Sequence, residues 1–136
     1  MSTSIFAFII VLGVLIFFHE LGHFLVARFF GVGVEKFSLG FGPRLIGKTV
    51  GMTDYRVSLI PLGGYVKMVG EEPDSEIEPY LIPQSFTHKS VFKRFLIVAA
   101  GPMSNLLLAV VIFFLVFQTS GTYVLRPLVG EVDTPS

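Results

Sequence analysis

The chain has 136 residues, ten basic and ten acidic side chains balancing to a formal net charge of zero, and is 52% apolar with only 15% charged residues. That balance removes the basic footprint of nucleic-acid binding, so no nucleic-acid partner is expected. No cysteine is present, which excludes disulfides and thiolate ligands together; imidazole and carboxylate oxygen are left to hold any metal, a donor set that suits zinc.

A soluble domain carries about a quarter charged residues. The mean hydropathy of +0.75 therefore points to the lipid bilayer. The first predicted element, residues 1–31, is a membrane-spanning helix running from about Ile5 to about Phe30. Ile5 to Phe18 is fourteen residues without a charge. The preceding Met1-Ser2-Thr3-Ser4 has no lysine or arginine, so a retained span is expected rather than a cleaved signal. His19-Glu20-Leu21-Gly22-His23 lies inside this segment. Positions i and i+4 share a helix face, so His19 and His23 can reach one metal ion. Glu20 is then placed to act as general base on water activated by that metal. Such groups are expensive within a bilayer and default to a functional reading there. At helical rise His19 is about 21 Å from Ile5, in the far half of the hydrocarbon core.

Residues 32–90 follow as a connecting region. From Glu35 to Val69 the texture is strand-like, with Tyr55, Val57 and Leu59 alternating with Asp54, Arg56 and Ser58. Gly40-Phe41-Gly42-Pro43, Gly51-Met52-Thr53 and Pro61-Leu62-Gly63-Gly64 read as turns between short strands. From Gly70 to Gln84 the chain becomes acidic and proline-rich, an exposed loop. The second span covers residues 91–118, with twelve uninterrupted apolar residues from Leu106 to Phe117 and an interruption at Gly101-Pro102-Met103-Ser104-Asn105. Proline inside a helix invites a kink. Nine of the ten basic residues lie between Arg28 and Arg94, which makes the connecting region cytoplasmic and puts both termini on the other side. Residues 119–136 stop within what reads as a new strand, so the chain is expected to be a fragment of something longer.

Two histidines do not complete a catalytic zinc site, which ordinarily has three protein ligands. His88, in polar and basic surroundings, is expected to be interfacial and not a ligand. The missing ligand is expected to be a carboxylate outside this chain. Asn105 has two readings: a hydrogen-bond donor to the oxyanion of a tetrahedral intermediate, or a residue that satisfies helix contacts loosened by Pro102. The strands between Phe37 and Leu59 likewise have two, as an edge that holds substrate extended or as a plug at the cytoplasmic mouth.

Four motifs together resemble the site-2 proteases, the intramembrane zinc metalloproteases, and more narrowly the bacterial regulator of sigma-E protease group. They are His19-Glu20-Leu21-Gly22-His23, Phe37-Ser38-Leu39-Gly40-Phe41-Gly42-Pro43, Ile60-Pro61-Leu62-Gly63-Gly64-Tyr65-Val66-Lys67-Met68 and Ala99-Ala100-Gly101-Pro102-Met103-Ser104-Asn105. The resemblance implies an α-helical membrane protein with two transmembrane helices and an intervening small β-hairpin or sheet, membrane-re-entrant on the cytoplasmic side. It implies one zinc ion on His19 and His23, Glu20 as the catalytic base, and hydrolysis of peptide bonds within membrane-spanning protein substrates, in a bacterial inner membrane. Gly40, Phe41 and Gly42 resemble the hairpin that meets substrate, and Asn105 falls near the metal. Arg126 to Val132 resembles the opening of a PDZ domain. The family's third ligand, an aspartate in a leucine-aspartate-glycine motif, is absent here, so this chain alone is expected to be inactive. The rival reading is a non-catalytic membrane module that binds metal for transport or sensing.

Overall fold

The computed structural model describes residues 1–121. In chain order these form α1 (Ser2–Phe29), β1 (Val34–Val50), β2 (Thr53–Met68), a short 3-10 helix (Pro79–Gln84) and α2 (Val91–Ser120). The PDZ-like opening expected at 126–132 lies outside the described residues.

Both long helices are long and apolar enough to cross a membrane. Their 28 and 30 residues correspond to about 42 and 45 Å of rise. Their outer faces present Ile5, Phe6, Val110 and Phe113 among many exposed apolar side chains, as lipid-facing surfaces require. α1 ends where Gly31 takes φ +72. Val32 N–H reaches back to the Ala27 carbonyl at 2.8 Å and Gly31 N–H to that of Arg28 at 3.1 Å, the paired closure that a left-handed glycine permits. α2 begins at Ser90, whose hydroxyl accepts from the Lys93 N–H. The two helices run antiparallel: His23 meets Ile97, Gly22 meets Ala100, and Phe18 meets Ser104.

By their register the two long strands divide into the expected series of short segments. β1 and β2 form a two-stranded antiparallel sheet, but each bends so that its two halves lie side by side with the other's. Phe37 pairs with Val66 on one side and Tyr55 on the other; Tyr55 in turn also pairs with Lys48. Across the sheet the order is therefore 44–50, 53–60, 34–41, 64–68. The runs expected to be turns at Gly40–Pro43 and Pro61–Gly64 lie within unbroken extended backbone, yet the chain reverses at each: 34–41 runs parallel to 53–60 and antiparallel to 64–68, and 44–50 runs antiparallel to 53–60. Gly51–Met52 reverses it as a tight turn. The free edges are 44–50 and 64–68, so most of the stretch from Phe37 to Leu59 is interior to the sheet and only 44–50 within it is an edge.

The core sits where the sheet covers the loop-side ends of the helices. Ala27, Val32, Val34, Phe37, Val66, Met68 and Ile97 are buried there. Phe37 meets Phe24 edge-on at 5.5 Å and Phe17 at 6.1 Å between centroids. The loop returns along the same end: Gly33 N–H donates to the Gln84 carbonyl, and Phe86 N–H to that of Val69. Between them, residues 71–76 are exposed, as the acidic composition implied.

Candidate metal centre

His19 and His23 fall on one face of α1, with ring centroids 4.9 Å apart and planes at 79°. Their Nε2 atoms converge on one point beside Gly101 of α2. A Cβ added at Gly101 would run into His23 Nε2 and lie 2.8 Å from His19 Nε2. The space beside the two nitrogens therefore depends on a residue with no side chain.

The tautomer of His23 follows from its neighbour. Its Nδ1 lies 2.8 Å from the Ile97 carbonyl oxygen. A carbonyl can only accept, so Nδ1 carries the proton and the Nε2 lone pair is left free. This is how metal-ligating histidines are oriented from behind. Gly22, between the two histidines, has the reciprocal role: a Cβ there would collide with the Ala100 carbonyl and approach Ser104 Oγ at 2.7 Å. Small residues on both helices thus let the backbones approach closely. Ser104 Oγ lies 2.5 Å from the Phe18 carbonyl and 2.8 Å from that of Gly101, tying the helices together next to His19.

Glu20 borders two cavities. One, about 340 Å³, is lined by Leu12, Leu15, Ile16, His19, Glu20, Gly63, Gly64 and Asn105. The other, about 320 Å³, brings Glu20 and His23 together with Gly64, Tyr65, Val66 and Glu71. The divide between them is Gly64, where a Cβ would fall 2.8 Å from Ile16 Cγ2 and 3.2 Å from Glu20 Cγ. The sheet edge thus passes against α1 at the turn that carries Glu20.

Of the expected site residues, His19, Glu20, His23 and Asn105 come together. The Asn105 Oδ1 is buried without a hydrogen-bond partner among the described residues. Gly40 lies apart, lining a smaller cavity of about 80 Å³ with Gly13, Ile16 and Gly63. His88 spends Nδ1 on Ser85 Oγ at 3.0 Å, within its own turn. Among the described residues no group of three histidine or carboxylate side chains surrounds one point. The donor set therefore fits zinc as two of its ligands. The residues that the sequence reading passed over are Gly22, Gly101, the Ile97 carbonyl and Gly64. Gly22, Gly64 and Gly101 stand inside the four motifs, which was the available signal.

Comparison with known proteins is consistent with this geometry. The family profile described as Peptidase family M50 matches residues 7–135. The chain is 48% identical over 134 residues to the protease RseP of Yersinia pestis, covering 98% of this chain and 29% of that protein. It is 49% identical over 131 residues to the regulator of sigma-E protease RseP of Escherichia coli strain K12, covering 96% of this chain and 29% of the relative. A Mesorhizobium japonicum relative, 43% identical over 140 residues, carries zinc metalloprotease as a provisional name. The chain thus spans well under half the length of these curated relatives.

Proposed function

Because the chain belongs to peptidase family M50, we propose that it is the amino-terminal part of an intramembrane zinc endopeptidase that cuts peptide bonds within the transmembrane segments of other proteins. The observation that carries this reading is the convergence of His19 and His23 Nε2 beside Gly101, with Glu20 at the meeting of two cavities. A third ligand, an aspartate from a later helix, completes the site in the whole protein.

Zinc held there supplies Lewis acidity, polarising a carbonyl and making water acidic near neutral pH. Glu20 takes the proton of the attacking water and returns it to the leaving amine. Asn105 lines the cavity with His19 and Glu20, and its side-chain N–H donates to the carbonyl oxygen as charge develops there. A helical substrate hides its amides; the free edge at 64–68, which borders the site, pairs with an unwound segment and holds it extended. Gly64 lets that strand lie close to Glu20. In this role 64–68 replaces the Gly40–Gly42 tip, which does not border Glu20.

The antiparallel helices put both ends of the described chain on one side of the membrane, and nine of ten basic residues lie between them. That supports a cytoplasmic sheet and loop with both termini opposite, in a bacterial inner membrane.

Two results are expected of the complete, detergent-purified protein. It should hold about one zinc per chain, and His19→Ala should lose it, as a site with three protein ligands requires; zinc retained by that variant would remove His19 from the ligand set. Asn105→Ala should lower kcat by about 10²-fold, the scale for one oxyanion donor, with zinc content unchanged. A wild-type rate would leave Asn105 a helix-packing residue only.

A further inference from the structure

The edge that faces Glu20 is shaped from the middle of β1. Gly63 has φ +150, and the Phe41 ring occupies the space that a Cβ at Gly63 would need. The same ring stacks on Tyr65, with centroids 6.0 Å apart and planes 10° from parallel. One aromatic side chain therefore grips the residue before Gly64 and the residue after it. Gly64 is the point of contact with Ile16 and Glu20. Gly40 and Gly42, at φ +89 and +85, bend β1 on either side of Phe41 and deliver its ring to this position. The Gly40 backbone is itself backed against the Ile60 and Ser58 carbonyls, which fixes the bend.

Phe41 borders neither cavity at Glu20. Gly63 borders one, with His19 and Asn105, and Tyr65 borders the other, with His23. We propose that Phe41 is a positioning residue: it clamps Gly63 and Tyr65 and thereby sets how the 64–68 edge presents a substrate segment to Glu20. The proposal rests on the proteolytic reading and gives the Gly40-Phe41-Gly42 motif a task other than touching substrate. Strain-permissive glycines flank the ring because only they hold it over the edge. The stack supplies the grip, since offset aromatic pairs are worth more than their buried area alone.

A double-variant cycle in the complete protein tests it, with kcat, KM and zinc content measured on a transmembrane substrate. Phe41→Leu and Tyr65→Leu should each raise KM about 3- to 10-fold, the scale of one aromatic pair, with zinc content unchanged. The double variant should fall well short of the product of the two effects. Phe41→Tyr preserves the stack and should stay within about twofold of wild type. Effects that multiply would mean that Phe41 contacts substrate independently, and the clamp would be wrong. Loss of zinc in Phe41→Leu would make the ring a general folding element and equally overturn the proposal. Failure of the clamp leaves the dependence of cleavage on Glu20 intact, whereas cleavage that survives Glu20→Gln removes the proteolytic reading itself.

Discussion

Replacing Glu20 by glutamine in the complete protein is expected to slow peptide hydrolysis by about 10²–10⁴-fold, the contribution of a positioned general base, while zinc content stays at the wild-type level. Glutamine preserves the length and shape of the side chain, so the contact of α1 with Gly64 is maintained. The two ligands are untouched, and His23 keeps its Nδ1 hydrogen bond to Ile97. What disappears is the ability to take a proton at a point shared by two cavities. A membrane module that binds metal for transport or sensing predicts the opposite pattern, because glutamine at position 20 leaves such a site with its ligands and its access. Turnover by the glutamine variant at the wild-type rate would rule out the mechanism. Loss of zinc together with activity would instead make Glu20 a ligand or a structural support.

The parts of this site that could be read from the sequence are those that are expensive where they stand. Two histidines and a glutamate in an apolar helix have few inexpensive explanations, and the i, i+4 spacing assigns His19 and His23 to one face without any knowledge of the fold. The two spans were equally legible, because length and hydropathy are local properties. The sheet was not. Gly40-Phe41-Gly42-Pro43 and Pro61-Leu62-Gly63-Gly64 mark places where the backbone needs unusual dihedral angles, and Gly40, Gly42 and Gly63 do have positive φ. Local composition cannot say which segments pair across such a reversal; here 34–41 lies between 53–60, to which it is parallel, and 64–68, to which it is antiparallel. The same limit left the edges of the sheet unlocated, because a strand is interior or edge only by virtue of residues far away in sequence. Asn105 stood between two readings for that reason also: its helix was plain, but its neighbours His19 and Glu20 belong to the other helix.

Gly101 gives the sharpest instance, and the second large effect. Beside Pro102 it reads as part of a helix interruption, yet α2 runs unbroken from Val91 to Ser120. The residue is glycine because of what lies across the helix interface. A single methyl group there would overlap the His23 Nε2 and crowd that of His19, the two atoms proposed to hold the metal. The imidazoles have little room to withdraw: His23 is held from behind by the Ile97 carbonyl, and the backbones are already in close approach at Gly22 and Ala100. Gly101→Ala in the complete protein is therefore expected to weaken zinc affinity by at least the 10–100-fold seen when the outer support of a ligand is lost. Gly101→Val should abolish binding and cleavage together. Gain in helix propensity pulls the other way, since alanine in a helix interior is favoured over glycine by roughly 1 kcal/mol. The crowding costs about 1–3 kcal/mol, as overpacking does, and outweighs that gain, so the alanine variant should lose some thermal stability without zinc as well as zinc affinity. A variant that binds zinc normally would show that the imidazoles and the metal do not use the space Gly101 leaves.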